Sequence, residues 1–175
     1  MKSPAKRPMN AANDGSLQGL FDHALKDIYY AEKKIYKTLP KMIKAAVDPD
    51  LKTALDAHRE ETAGQIERLE QVFELLGQRP KAVKCDAIDG ILDEGDELLE
   101  DFGGKQAGDA AIIFACQAVE HYEITRYGSM HAYATELGMN EISSLLEQTL
   151  AQEKDADKAL SKIAMTRVNY AAEAA

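Results

Sequence analysis

Cys85 and Cys116 are the only two cysteines among 175 residues, and they stand far apart with neither CxxC pairing nor zinc-like spacing. That excludes a disulfide framework and a thiolate metal site, and both are expected to stay reduced thiols. Long apolar runs are missing too, and no stretch reaches the length of a membrane-spanning helix. The basic start (Lys2, Lys6, Arg7) leads into polar residues from Asn10 to Ser16 rather than the apolar core of a secretory signal. A cytoplasmic location with no membrane partner is therefore expected. Basic residues are outnumbered, with 21 Lys and Arg against 30 Asp and Glu for a net charge of -9. A nucleic-acid-binding face is not expected, because phosphate contact rewards clustered Lys and Arg. No segment reads as a strand. No mid-chain linker divides the chain, whose length suits one well-buried core.

What the sequence does contain is amphipathic helix. Residues 1–15, with Pro4, Pro8, Asn10, Asn13 and Gly15, read as a flexible leader. From Ser16 onward, Phe21, Leu25, Ile28, Glu32, Ile35 and Leu39 alternate in steps of four and three, the seam spacing of bundled helices. Pro40 is expected to bend or weaken the last turns. Asp48-Pro49-Asp50 offers a cap and a first-turn proline for a second helix. Its seam reads Leu51, Leu55, His58, Thr62, Gln65, Leu69, Val72, Leu76, and Gly77 with Pro80 ends it. The acidic stretch from Gln78 to Gln106 reads as a long connection holding a short helix, closed by Gly103-Gly104. A third bundle helix runs from about Asp109 to Leu137 with Ile112, Cys116, Val119, Glu123, Tyr127 and Met130 inward, and stops at Gly138. Asn140 is read as the cap of a fourth, which carries Ile142, Leu146, Thr149, Glu153, Leu160 and Ile163 inward and fades into the tail 169–175.

Two tight hairpins joined by one long link of about 29 residues point to an all-α, ferritin-like up-down-down-up four-helix bundle over residues 16–168, with a long crossover containing a short helix. In an antiparallel hairpin, residues equidistant from the turn lie level. A first turn near residue 47 sets Glu32 level with residues 61 and 62, where Glu61 stands. A second turn near 138 and 139 sets Glu123 level with Glu153, and Glu120 with Asp157. Each half thus brings two carboxylates to one depth, and Tyr36 and Tyr127 each follow a seam glutamate by one turn, placed to hydrogen-bond the acids. Ionised groups buried without partners cost several kcal/mol each, so such a cluster implies a compensating cation or shared protons. Carboxylates with an occasional imidazole suit iron or manganese, and paired carboxylates can bridge two metals. His58 is the best-placed histidine, whereas His121 points away from the seam, His23 sits near the start of the first helix and His131 lies toward the edge of the stripe. Gln65 reads as a buried hydrogen-bond partner.

The stretches AEKKIYKTLPKM (31–42), HREETAGQIERLEQVFELLG (58–77), VEHYEITRYGSM (119–130), ELG (136–138) and LLEQTLAQEKDAD (145–157) resemble the bacterial YciE/YciF family of ferritin-like stress proteins. The resemblance covers nearly everything after the leader. It implies a ferritin-like bundle, dimeric in many members and associated with stress responses, and marks Glu32, His58, Glu61, Glu120, Glu123, Glu153 and Asp157 as the inward polar, metal-binding set. The wider superfamily uses Glu on two helices and Glu-x-x-His on the other two. Here Gly64 and Ala156 stand three residues after Glu61 and Glu153.

Two functions compete at this point. One is a di-iron or di-manganese protein reactive toward oxygen or peroxide. The other is a non-enzymatic dimeric scaffold that keeps a degenerate ferritin-like core, its acids neutralised by raised pKa values.

Overall fold

The computed structural model describes residues 15–174, and residues 1–14 of the leader expected from the sequence lie outside them. Among the described residues all regular structure is helical: α1 (Leu17–Ala45), α2 (Pro49–Leu75), α3 (Asp86–Phe102), α4 (Gly108–Glu136), α5 (Asn140–Ile163), a π-helical turn (Ala164–Val168) and α6 (Asn169–Glu173).

The helix ends follow local chemistry. Ser16 Oγ accepts the Gly19 amide at 3.0 Å and starts α1, and Asp48 accepts from Asp50 and Leu51 at 2.9 and 3.0 Å ahead of Pro49 in α2. Pro40 lies within α1, which continues to Ala45. Both hairpin helices close with the paired bonds of a Schellman motif. Gln78 and Gly77 amides reach the Phe73 and Glu74 carbonyls, and Met139 and Gly138 reach Ala134 and Thr135. That geometry needs a left-handed residue, and Gly77 and Gly138 supply it at φ 67° and 71°. Asn140 is not the cap expected from the sequence: it is the first residue of α5, Met139 takes the flanking position, and no side chain caps that end. Met139, the last member of the Schellman turn, is also the residue flanking α5, so the helix begins one residue earlier than the cap reading required.

The short turn at residues 46–48 folds α2 back on α1, and the turn at residues 137–139 folds α5 back on α4. The two hairpins then pack side by side, α1 against α4 and α2 against α5. The start of α4 sits at the end of α1, where Asp109 accepts the Val47 and Asp48 amides at 2.8 and 2.7 Å. Likewise Arg167, beyond α5, grips Asp48 at the start of α2 at 2.7 and 2.8 Å. Neighbouring rods therefore run in opposite directions.

The connection from residue 78 to 106 holds more than the short helix expected. Its α3 runs 17 residues and covers the groove between α1 and α4. Ile88 is fully buried, and Asp89 accepts the Tyr30 hydroxyl at 2.9 Å while Asp96 pairs with Lys41 at 2.7 Å. The acids of this stretch partly face basic and phenolic groups on α1.

Inside, apolar layers occupy both ends of the bundle. Phe21, Leu25, Leu69, Phe73 and Met130 fill one end, and Leu39, Leu51, Leu55, Ile112 and Leu160 the other. The slab between them is polar.

Candidate metal centre

That slab draws on four helices. Glu32 takes the seam position between Ile28 and Ile35 on α1, His58 that between Leu55 and Thr62 on α2, Glu120 and Glu123 lie one turn apart on α4, and Glu153 lies on α5. Glu32, Glu123 and Glu153 are 0 % exposed, Glu120 2 % and His58 6 %. One donor atom each from His58, Glu120, Glu123 and Glu153 fall within 4.8 Å of one another. His58 Nε2 lies 3.4 Å from Glu120 Oε1, close but without the alignment of a hydrogen bond.

The surroundings hold this set in place from one side only. Tyr127 Oη donates to Glu32 Oε1, and Gln65 Nε2 donates to Glu153 Oε1. Arg68 donates to Thr149 Oγ1 at 2.6 Å and to Gln152 Oε1 at 3.0 Å, which sets a positive charge near Glu32 and Glu153. Other buried atoms of the set are left over. With the carboxyls ionised, Glu32 Oε2, Glu120 Oε2, both oxygens of Glu123, Glu153 Oε2 and both His58 nitrogens are buried with no hydrogen-bond partner among the described residues; where a proton is retained, Glu32 pairs with Glu123 and Glu120 with Glu153.

Two of the residues picked out in the sequence stand apart. The Glu61 side chain is 44 % exposed, with Oε2 4.0 Å from His58 Nδ1. Level with Glu32, the buried residue is Thr62. Asp157 is partly exposed and engaged by Gln117 at 2.9 Å and His121 at 3.3 Å. Tyr36, expected to hydrogen-bond the acids as Tyr127 does, instead accepts from Arg59 at 3.1 Å beneath a guanidinium stacked on its ring. Arg59 reaches across from α2 and takes the phenol by hydrogen bond and ring stacking together. His23 and His121 are exposed, and His131 is bound to Ser143. Sequence reasoning missed Arg68. Its spacing from Gln65, one turn further along the same face, was the available signal.

Electrostatics follow from burial and like charge. Burial, then the Glu153 charge, raises Glu32 to about 8, and burial raises Glu153 to about 7. Glu120 and Glu123 are pushed well above the ordinary carboxylate range by burial and by the neighbouring acids. Burial lowers His58 to about 4, so its imidazole is neutral, the form that ligates metals. The nearby Cys116 is no soft ligand, because burial and Glu120 push its thiol to about 12.

Oxygen donors with one neutral imidazole, converging in a buried slab, fit a hard or borderline dication. The fold and site thus define an all-helical protein with a buried carboxylate–histidine cluster. Residues 16–173 match the family described as "Domain of unknown function (DUF892)", and the chain belongs to that family. It is 40 % identical over 162 residues to Protein YciF of Escherichia coli strain K12, covering 92 % of this chain and 98 % of that one. The crystal structure of the E. coli stress protein YciF superposes with a TM-score of 0.83 over 88 % of this chain and 98 % of that one. YcfI of Rhodopseudomonas palustris, to which a structural role is ascribed, is 48 % identical with a TM-score of 0.83 over 87 % of this chain and 98 % of that one. A Xanthomonas campestris protein, XCC3681, shares the fold at 22 % identity and a TM-score of 0.69, covering 88 % of this chain and 94 % of that one.

Proposed function

We propose that this protein is a ferritin-like stress-response protein, an up-down-down-up four-helix bundle whose polar slab holds iron or manganese in a carboxylate-rich centre of the di-metal type. Glu32, His58, Glu120, Glu123 and Glu153 would hold the metal, with Glu61 and Asp157 at its margins. The observation that carries this reading is the set of seven unpartnered buried atoms on those five side chains. Leaving polar atoms orphaned costs about 1–3 kcal/mol each, and a cation would satisfy the carboxylate oxygens and one His58 nitrogen together, the other ring nitrogen keeping its hydrogen. Bound iron or manganese would supply redox chemistry toward oxygen or peroxide. The protein's own part is to keep the acids fixed: Tyr127 and Gln65 occupy one oxygen each of Glu32 and Glu153 and turn the other inward. A homodimer in the cytoplasm is the expected setting.

The second reading is a non-enzymatic dimeric scaffold with a degenerate core. Gly64 and Ala156, where imidazoles complete the wider ferritin-like pattern, favour it, as does the structural role ascribed to the R. palustris relative. Its acids would stay protonated.

Elemental analysis of untagged protein, with melting in the presence and absence of chelator, separates the two. The metal reading expects bound iron or manganese, a melting temperature that drops on chelation, and loss of the metal in Glu123→Gln. A ligand at a thousandfold its Kd stabilises by about 4 kcal/mol, so the drop is large. Metal-free protein with chelator-insensitive melting leaves the scaffold.

A further inference from the structure

The carboxylate cluster is approached from two sides of the bundle, and the two approaches differ in chemistry. Under α3 lies a pocket of about 30 Å³ walled by Ile35, Leu39, Met42, Ile91 and Leu92. Between α2 and α5 lies a cleft of about 220 Å³ that runs from the exposed Ala57, Glu61, Asp155 and Ala159 down to the buried His58 and Glu120. A single water needs about 10–15 Å³ of such space. The pocket under α3 therefore has room for two or three waters at most against a mainly apolar wall, while the cleft has room for a file of them. The ends of the bundle offer no alternative, since Phe21, Leu25 and Phe73 close one and Leu39, Leu51 and Leu55 the other.

We propose that the α2–α5 cleft is the path by which a hydrated divalent cation travels from solvent to the buried cluster, with Glu61 as the transfer carboxylate at its mouth. The inference rests on the metal reading of the cluster and adds the route and the residue that serves it. Glu61 touches both worlds: its side chain is 44 % exposed, yet Oε2 lies 4.0 Å from His58 Nδ1. Beyond it, His58 and Glu120 are more than nine-tenths buried and both present unpartnered atoms. Asp155 adds a second negative charge at the rim, exposed and loosely held by Lys158 at 3.1 Å. Ala54, Ala57, Ala156 and Ala159 form the walls, and methyl groups leave room for an ion that still carries part of its water shell. A dication that exchanges one water at a time needs such a series: an acid at the mouth, then an imidazole, then the buried carboxylates.

Stopped-flow absorbance with cobalt(II) chloride tests the proposal on the full-length protein. Glu61→Gln keeps the shape and removes the charge. It is expected to slow cobalt association by about tenfold at low ionic strength and to flatten its salt dependence, with unchanged final stoichiometry and bound-ion spectrum. Ala156→Leu narrows the cleft. It is expected to lower association and dissociation rates by the same factor and so leave Kd unchanged, because an obstruction raises the barrier equally in both directions. Wild-type rates in both variants overturn the proposal while the metal reading stands. An altered cobalt spectrum in Glu61→Gln also overturns it, by making Glu61 a resident ligand. Failure of the unaltered protein to bind cobalt removes the metal reading and the route together.

Discussion

Tyr127 on α4 donates its phenolic hydrogen to Glu32 Oε1 on α1, and both side chains are fully withdrawn from solvent. This single bond ties the two halves of the molecule together at mid-height and fixes which oxygen of Glu32 faces the cluster. It also favours the ionised acid, because a donated hydrogen bond lowers the Glu32 pKa against the stronger upward push of burial.

Tyr127→Phe keeps the ring and deletes the donor, so Glu32 Oε1 joins Oε2 as a buried atom without a partner. Urea unfolding of the metal-free protein should show a loss of about 1–3 kcal/mol. An unchanged midpoint would mean that Glu32 finds another donor.

The acids make stability depend on pH in a direction opposite to ordinary salt-bridged carboxylates. A carboxyl raised from 4.5 to about 8 at Glu32, or to about 7 at Glu153, keeps its proton in the native state after the unfolded chain has released it. The unfolded state then binds fewer protons, and stability declines as pH rises from about 4.5 through 7–8. His58, lowered from 6.5 to about 4, acts the other way and only on the acid side, where the native state resists a proton that the unfolded chain accepts. Between pH 6.5 and 8 the carboxylates act alone. The melting temperature of metal-free protein should fall across that window, and saturating manganese should remove or invert the slope, because a bound cation replaces the protons. A flat metal-free profile would contradict the burial of these acids.

Asp109 is the strut between the two hairpins: it accepts two backbone amides from the α1–α2 turn, at Val47 and Asp48. Asp109→Ala should cost about 1–3 kcal/mol, as expected for loss of charge-assisted bonds, and should speed hydrogen exchange at those two amides while leaving those of the Gly138 turn unchanged. Equal effects at both turns would show that the hairpins loosen as one unit.

The depth of the polar slab was legible in the sequence because hairpin arithmetic depends only on turn positions, and both turns carry strong signals in Asp48-Pro49 and Gly138. Glu32, Glu123 and Glu153 are buried as that arithmetic expects. Depth says nothing about azimuth. Glu61 is level with Glu32 but one residue, about 100°, off a seam whose 4-3 steps pass through His58, Thr62 and Gln65, and the buried position went to Thr62. Glu120 shows the reverse, at the edge of the stripe by pattern yet 2 % exposed, because α3 covers the flank of α4 and widens its buried face. That cover was itself hard to foresee, since the spacing of Ile88, Ile91, Leu92, Leu98 and Leu99 marks an amphipathic helix but not the groove it fills. Tyr36 was misjudged because its competing partner, Arg59, comes from another helix.

The π-helical turn at Ala164–Val168 has a geometric effect on everything downstream of Glu153. Residues spaced by four precess about 40° per step around an ordinary helix, so Leu160, Ala164 and Val168 would wind progressively off the interior. The wider turn, marked by the Asn169 amide reaching back to Ala164, absorbs that lag, and all three remain buried. One added residue thereby keeps the final stretch in phase with α2, leaving Arg167 aimed at Asp48. Removing a residue there would rotate the last two turns as a block and unfasten the far rim of the barrel of rods.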